Sequence, residues 1–345
     1  MAQPVVGYLD PFLFEVFDAV RRDLRACFGT ANAFTIALPG TGSSGMEAAV
    51  SNFTGPGTKV AVFNNGYFCQ RLADMGRRQG AHVVTLDKPW GEIFSEAEAR
   101  EFLARERPDV AAFVHGETST GALQPPLAIT RPAHEAGALV IADCVTTLGS
   151  VPIHVDECGI DIAYSCTQKG LSCPPGLSPF TANERAWERL NARKSDNPIW
   201  YLDLKLLAGY FNERKYHHTA PVSAFYALRE GLAAIREEGV ERRFTRHASA
   251  HDSFVRRTEA MGLQMHVASG KRLPTLNTVR VPEGADDPAI RKRLLEDYGI
   301  EIAAGFGPLA GRVFRIGVMG PLANESELNL FFDAFAACLA VPVAV

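Results

Sequence analysis

Over the first two thirds of the chain, apolar runs of strand length alternate with amphipathic helical stretches, and this alternation restricts the fold more than any other feature. "KVAVFN" (59–64) reads as a strand, "YFCQRLADMGRRQG" as a helix, "HVVTL" as a strand, the text around "SEAEAREFLARE" as a helix, and "DVAAFVH" (109–115) as a strand again. The pattern continues through "GALVIAD" (137–143) and "IDIAYS" (160–165). Strands so uniformly apolar are covered on both faces, so the expected fold is α/β, with a mostly parallel sheet between helices. After Arg185 the text becomes more helical, and residues 222–262 read as long helical text that crosses between lobes. "TLNTVRVP", "DDPAIRKRLLEDYG", "GRVFRIGVMG" and "ESELNLFFDAFAACLA" then predict a compact α+β lobe. The expected organisation is a large domain over 1–240 and a smaller C-terminal domain over 241–345.

Charge and cysteine usage narrow the partners. A formal net charge of -4 and a pI near 6.2 give no electrostatic footprint for nucleic acid or an anionic membrane, so a small molecule is the expected partner. The seven cysteines are odd in number, scattered and without C-x-x-C spacing, which indicates neither a disulfide framework nor a metal site. They suit a reducing, cytoplasmic location. No stretch is long and apolar enough to span a bilayer, and the apolar tail "AVPVAV" is too short to do so.

Ligands of α/β sheets bind outside the carboxyl ends of the strands, so the polar residues at strand exits carry the functional argument. Three exits stand out. "LPGTGSSGMEAAV" (38–50) places Thr41, Gly42, Ser43 and Ser44 before a helix start, where close backbone approach and free N–H groups favour a phosphate. The same text also reads as a glycine-rich turn with Ser43 or Ser44 as an N-cap. "VIADCVTTLGS" brings Asp143 to the end of an apolar strand, where it either holds a cation or caps the next turn. "SCTQKGLSCPPG" (165–176) sets Lys169 among small residues that read as interior or tight turn, an unusual place for an ammonium group. Together, N–H donors, a carboxylate and an amine are what pyridoxal phosphate requires for its phosphate, its protonated ring nitrogen and its aldehyde.

On these residues, and on "HGETSTGALQP", "YLDLKLLAGY", "KYHHTAPVSAFYALREGL" and "RVFRIGVMG", the chain resembles the class V, fold type I aminotransferases dependent on pyridoxal phosphate. Within them it is most similar to the alanine–glyoxylate and serine–pyruvate aminotransferase group. The resemblance runs from about residue 7 to the C-terminal helix and implies a seven-stranded type of sheet in the large domain. It implies that Lys169 forms the Schiff base, that Asp143 partners the pyridinium, and that Gln168 hydrogen-bonds the phosphate. Gly42, Ser43 and Thr41 match the family's phosphate loop. Phe68 in "NGYF" matches the aromatic that stacks on the ring, Val145 the apolar residue on its other face, and Thr118 a hydroxyl near its phenolic oxygen.

"KYHHT" matches the loop that the family sends into the neighbouring subunit, with Tyr216 and Thr219 touching that chain's phosphate, so a homodimer with shared active sites is implied. His217 and His218 read as solvated loop residues without chemistry. Arg315 in "VFRIG" matches the arginine that receives the substrate α-carboxylate; without the family it reads as a structural charge at a strand end. Phe68 read alone is a core aromatic. A 2-oxo acceptor such as glyoxylate or pyruvate is implied by the resemblance alone, which leaves alanine, serine and aspartate open as donors; no second arginine for a side-chain carboxylate is evident, which favours a small donor such as alanine or serine.

Two departures from the family accompany the match. Relatives carry an N-terminal Pro-Gly-Pro segment reaching toward the pocket, whereas "MAQPVVGYLDP" starts after it, so either the start is assigned late or another element closes the pocket. Phe68 stands where close relatives often carry tryptophan, a change expected to alter stacking more than chemistry. Two other readings compete. A cysteine desulfurase of this fold would place a histidine directly before the lysine and a mobile cysteine in a later loop. A non-enzymatic nucleotide-binding module built on "GTGSSG" lacks the full G-x-G-x-x-G pattern and leaves Lys169, Asp143 and Arg315 unexplained.

Overall fold

Runs rich in Val, Ala, Phe and Ile, with no charge in their middles, become the inner strands of the computed structural model, which describes residues 3–340. In chain order the strands are β1 (Phe34–Pro39), β2 (Lys59–Asn64), β3 (His82–Asp87), β4 (Val110–Val114), a short hairpin of β5 (Gly116–Glu117) and β6 (Ala122–Leu123), β7 (Leu139–Asp143), β8 (Ile162–Tyr164) and β9 (Leu177–Ala182). All but the hairpin form one seven-stranded sheet in the order β1-β9-β8-β7-β4-β2-β3. Every neighbour pairs in parallel except β9, which runs antiparallel to both β1 and β8. Every residue of β4 and β7 is buried, as strands covered on both faces must be.

The register fixes the site. Val114 pairs with Asp143, and Asp143 pairs with Tyr164, so the carboxyl ends of β4, β7 and β8 lie level. Helices fill the crossovers: α1 (Pro11–Phe28), α2 (Gly42–Phe53), α3 (Tyr67–Arg78), α4 (Glu96–Glu106), α5 (Leu127–Glu135), α6 (Glu184–Ala192), α7 (Leu204–Glu213) and α8 (Val222–Glu238). They join the sheet in one buried apolar cluster that runs from Leu13 to Ile235.

The helical text over 222–262 is two helices, not one. Gly239 adopts φ 85, a left-handed value that suits glycine, and separates α8 from α9 (Val240–Ala260). A second apolar cluster begins at Ala250 and Phe254 on α9. It continues through β10 (Leu276–Arg280), α10 (Asp287–Tyr298), β12 (Val313–Gly317) and α11 (Glu325–Leu339), while the two-residue β11 (Ala303–Ala304) completes the antiparallel sheet β10-β12-β11. The end of the apolar tail, 341–345, lies outside the described residues. Among the described residues no helix is long and apolar enough to cross a membrane.

The strand β9 has no counterpart in the sequence reading, because Pro179 argues against a central strand. The structure shows how it is tolerated. The Ser165 N–H donates to the Pro179 carbonyl at 2.8 Å, but proline has no N–H to return to the Ser165 carbonyl. The Ser178 hydroxyl donates there instead, at 2.6 Å.

Candidate active site

The level ends of β4, β7 and β8 open into a cavity of about 420 Å³ between the large sheet and the small lobe. Ten of the sequence-predicted residues line it: Thr41, Gly42, Ser43, Phe68, Thr118, Asp143, Val145, Gln168, Lys169 and Arg315. Tyr216 and Thr219 do not. Both are exposed on their own chain, and Tyr216 packs against Tyr8 with ring centroids 4.7 Å apart. His217 and His218 depart from expectation: each ring is buried, against Trp200 and Tyr201, because the loop folds back on the helix face. Their ring nitrogens retain no partner at His217 Nδ1, His218 Nδ1 and His218 Nε2 among the described residues.

Asp143 ends β7 with only 3% of its surface exposed. Its Oδ1 accepts the Val145 N–H at 2.9 Å and its Oδ2 accepts the Tyr164 hydroxyl at 2.9 Å. Neither donor carries charge. Burial therefore dominates and pushes the carboxyl up to about 7, although both hydrogen bonds pull the other way. A cationic N–H is the partner that this carboxylate lacks.

Lys169 follows β8 on a turn held by backbone contacts. The Ser172 N–H donates to the Lys169 carbonyl at 2.9 Å, and the buried Arg243 of α9 donates to the carbonyls of Gly170 at 2.8 Å and Gly149 at 2.7 Å. A Cβ at Gly170 would stand 2.3 Å from the Leu148 carbonyl oxygen, so only glycine lets the turn pass so close. The lysine side chain is half-buried, lines the cavity and has no carboxylate partner among the described residues.

At the start of α2 the N-cap is Thr41, not Ser43 or Ser44, and its side chain makes no capping bond. Ser44 instead donates to the Pro39 carbonyl at 2.8 Å. Among the described residues the N–H groups of Gly42 and Ser43 meet no acceptor, which leaves two donors at the positive end of a helix. A Cβ on Gly42 would lie 2.9 Å from Val145 Cγ2, inside the cavity wall. A carboxylate lacking a cation, amide donors lacking an anion and an amine without a carboxylate partner thus share one cavity, and the ring nitrogen, phosphate and aldehyde of pyridoxal phosphate would fit them in turn.

Two residues escaped the sequence reading. Glu117 is fully buried, and its Oε2 accepts the N–H groups of Phe68 at 3.1 Å and Cys69 at 3.3 Å, while its Oε1 accepts the N–H and hydroxyl of Ser119. It does the work of an N-cap for α3, whose own cap is Gly66, and so fixes the turn that presents Phe68. A Cβ at Gly66 would clash with the Glu117 side chain at 2.3 Å. Burial raises the Glu117 carboxyl above its ordinary value. The second is Arg71, a cavity-lining arginine where none beyond Arg315 was evident. Its position in "YFCQRL" carried a signal: it follows Phe68 by three residues and so shares its helix face.

Arg315 reaches the cavity from β12. Its Nε donates to the Ala304 carbonyl at 2.6 Å and its Nη1 to the Thr118 carbonyl at 3.0 Å, and its guanidinium carbon sits 4.0 Å from the centre of the Phe306 ring. Phe306 in turn stacks on Tyr67 at 5.1 Å, joining the two lobes beside the cavity. The Arg315 Nη2 meets no acceptor among the described residues, and a guanidinium edge of this kind suits a carboxylate.

Comparison with known proteins agrees with this constellation. A family model described as aminotransferase class-V matches residues 13–312. The alanine–glyoxylate aminotransferase of Callithrix jacchus is 37% identical over 97% of this chain and 82% of its own length. The (S)-ureidoglycine–glyoxylate transaminase of Bacillus subtilis is 37% identical over 98% of this chain and 86% of its own. Among solved structures, an alanine–glyoxylate aminotransferase from Nostoc sp. superposes with a TM-score of 0.96 at 45% identity, covering 98% of this chain and 90% of that one. An amine, a buried carboxylate and an arginine around one cavity, set in a fold and sequence shared over nearly the whole length, place this chain among the class-V aminotransferases, enzymes of a pyridoxal-phosphate-dependent family that pass an amino group from an amino acid to a keto acid.

Proposed function

We propose that this chain binds pyridoxal 5'-phosphate at Lys169 and moves an amino group from a small amino acid, alanine or serine, to a short 2-oxo acid such as glyoxylate or pyruvate. The observation that carries the reading is the unmatched set in one cavity: Asp143 without a cation, Lys169 without an acid, and the Gly42 and Ser43 N–H groups without an acceptor. When bound, the cofactor supplies an electron sink for the substrate's α-carbon. Asp143 holds a proton at the ring nitrogen, and the Tyr164 hydroxyl and Val145 N–H keep the carboxylate aimed. Phe68 and Val145 present apolar surface to the ring, Thr118 and Gln168 present polar groups at its margin, and Thr41, Gly42 and Ser43 take the phosphate. Arg315 fixes the substrate's α-carboxylate on the free edge of its fork. The Lys169 amine would take the proton from the substrate's α-carbon and deliver it to the carbon that carried the cofactor's aldehyde, the shift that transfer of the amino group requires.

The glyoxylate and small-donor preference rests on the activities for which the relatives are named and on a cavity that must hold the cofactor ring as well as the substrate. A homodimer belongs to the same reading. Tyr216 and Thr219 are exposed and do not line their own cavity, and Trp200, Tyr201, Leu206, Tyr8 and Leu9 are exposed apolar residues that a second copy would cover. A cytoplasmic location is supported by the seven cysteines, all unpaired. The desulfurase alternative loses ground to geometry. No cysteine lines the cavity, and burial pushes the thiols of Cys166 and Cys173 up to about 12 and about 11, away from the reactive thiolate.

The test is a matrix of half-reactions followed spectrally. Alanine, serine or aspartate is added to cofactor-loaded protein, and glyoxylate or pyruvate then regenerates it. Conversion with alanine or serine, reversed by glyoxylate, is the expected result. Release of sulfide from cysteine with no keto-acid turnover would replace amino transfer with carbon–sulfur cleavage.

A further inference from the structure

Arg71 is the one basic lining residue of the cavity to which neither the carboxylate contact nor the amine chemistry gives a task. It sits on the second turn of α3, half-buried. Its Nη1 donates to the Ser43 hydroxyl at 3.1 Å, and among the described residues this neutral group is its one side-chain hydrogen-bond partner. Its guanidinium carbon lies 4.9 Å from the centre of the Phe68 ring and 5.4 Å from that of Tyr67. The two aromatic faces hold the planar group in place while adding nothing that cancels its charge.

Two anionic groups enter a site of this kind, the substrate's carboxylate and the cofactor's phosphate. Position separates them. Arg315 approaches from the small lobe, tied to the Ala304 and Thr118 carbonyls, whereas Arg71 is tied to Ser43, the second residue of α2, where the N–H groups of Gly42 and Ser43 have no acceptor. Those amides and the helix end offer a partial positive charge of roughly half a unit, against a phosphate ester that carries roughly -1.5 to -2 near neutral pH. The cradle therefore needs a full positive charge, and Arg71 is in contact with it.

We propose that Arg71 is the cation of the phosphate cradle: with the Ser43 hydroxyl and the N–H groups of Gly42 and Ser43 it binds the cofactor's phosphate, and Tyr67 and Phe68 hold its guanidinium in place. The inference rests on the pyridoxal-phosphate reading above. It has a consequence for specificity: an arginine engaged by phosphate does not serve a donor's side-chain carboxylate, so the presence of a second arginine leaves the donor small.

Equilibrium dialysis of cofactor-free protein against pyridoxal 5'-phosphate and, separately, against pyridoxal tests it. The two share ring and aldehyde and differ in the phosphate. Arg71→Gln is expected to weaken pyridoxal phosphate binding roughly 10- to 100-fold, the value of a charge-assisted hydrogen-bond set, while leaving pyridoxal uptake unchanged. Arg71→Lys, which keeps the charge and loses the fork, falls between, and thermal melts confirm that both variants fold. Unchanged pyridoxal phosphate affinity in Arg71→Gln overturns the proposal. So does an equal loss for both ligands, which would assign Arg71 to packing under Phe68, and so does a raised KM for aspartate with cofactor affinity intact. Wild-type protein that binds pyridoxal as tightly as its phosphate ester overturns the cradle alone; wild-type protein that takes up neither overturns the cofactor reading with it.

Discussion

Lys169→Ala is expected to abolish amino transfer, with turnover falling by roughly 10⁴-fold or more, because in the proposed function one amine both holds the cofactor and moves the substrate's proton. The substitution isolates that amine cleanly. The turn around Lys169 is fixed by the Ser172 N–H on the Lys169 carbonyl and by the Arg243 guanidinium on the Gly170 carbonyl, contacts to main-chain oxygens that the shorter side chain keeps. The side chain itself is half-buried and without an acid partner among the described residues, so its removal leaves no orphaned charge. The melting temperature of the cofactor-free variant is therefore expected to match the wild type while activity disappears. Borohydride treatment of loaded wild-type protein followed by peptide mapping supplies the chemical check, with the label expected on the peptide containing Lys169. Turnover that survives in the variant, or a label elsewhere, would sink the assignment.

The second large effect has opposite signs in the empty and the loaded protein. Without cofactor, Asp143 has a carboxyl pushed up from 3.8 to about 7 by burial. A folded value above the unfolded one means that the native state binds the proton more tightly. The stability from this group is present in full below the unfolded value, is lost as pH climbs toward the folded one, and stays lost beyond it. Asparagine has no such proton. Between about pH 5 and about pH 8 the stability of cofactor-free Asp143→Asn is expected to gain roughly 2–3 kcal/mol on the wild type, read from paired thermal melts. With cofactor bound, the carboxylate gains the cationic N–H it lacks, and the same substitution is expected to weaken cofactor retention and to lower kcat by roughly 10²- to 10⁴-fold. Parallel pH profiles for the two empty proteins would show that Asp143 is not the buried, unpaired acid described here.

Why some of this was legible in the sequence, and some not, follows from what sequence encodes locally. Asp143 and Lys169 announced themselves because a polar group at the end of an apolar run conflicts with its neighbours, and parallel pairing then sets such ends level. Tyr164 closes the apolar run "IDIAY" and read as core, yet its hydroxyl steadies Asp143 across a register that only pairing creates. The strand β9 was hidden by Pro179, and the hydroxyl of Ser178 that rescues it cannot be weighed without knowing which carbonyl it meets. Glu117 drew no notice in "HGETSTG", because nothing in that text says that a helix start 49 residues upstream will turn its N–H groups toward it. Arg71 was not singled out either, because its contact with Ser43 crosses from one βα connection to another.

Both anchors of Arg315 are main-chain oxygens, one in each lobe. The hold on the guanidinium therefore does not depend on which side chains occupy positions 118 and 304, and residue 304 is free to drift as long as the chain keeps its path. What the arrangement cannot absorb is a change of length. One residue added to or removed from the tight connection between β5 and β6 would carry the Thr118 oxygen away and let the guanidinium swing, so descendants of this enzyme would diverge there by exchange of residues and seldom by insertion.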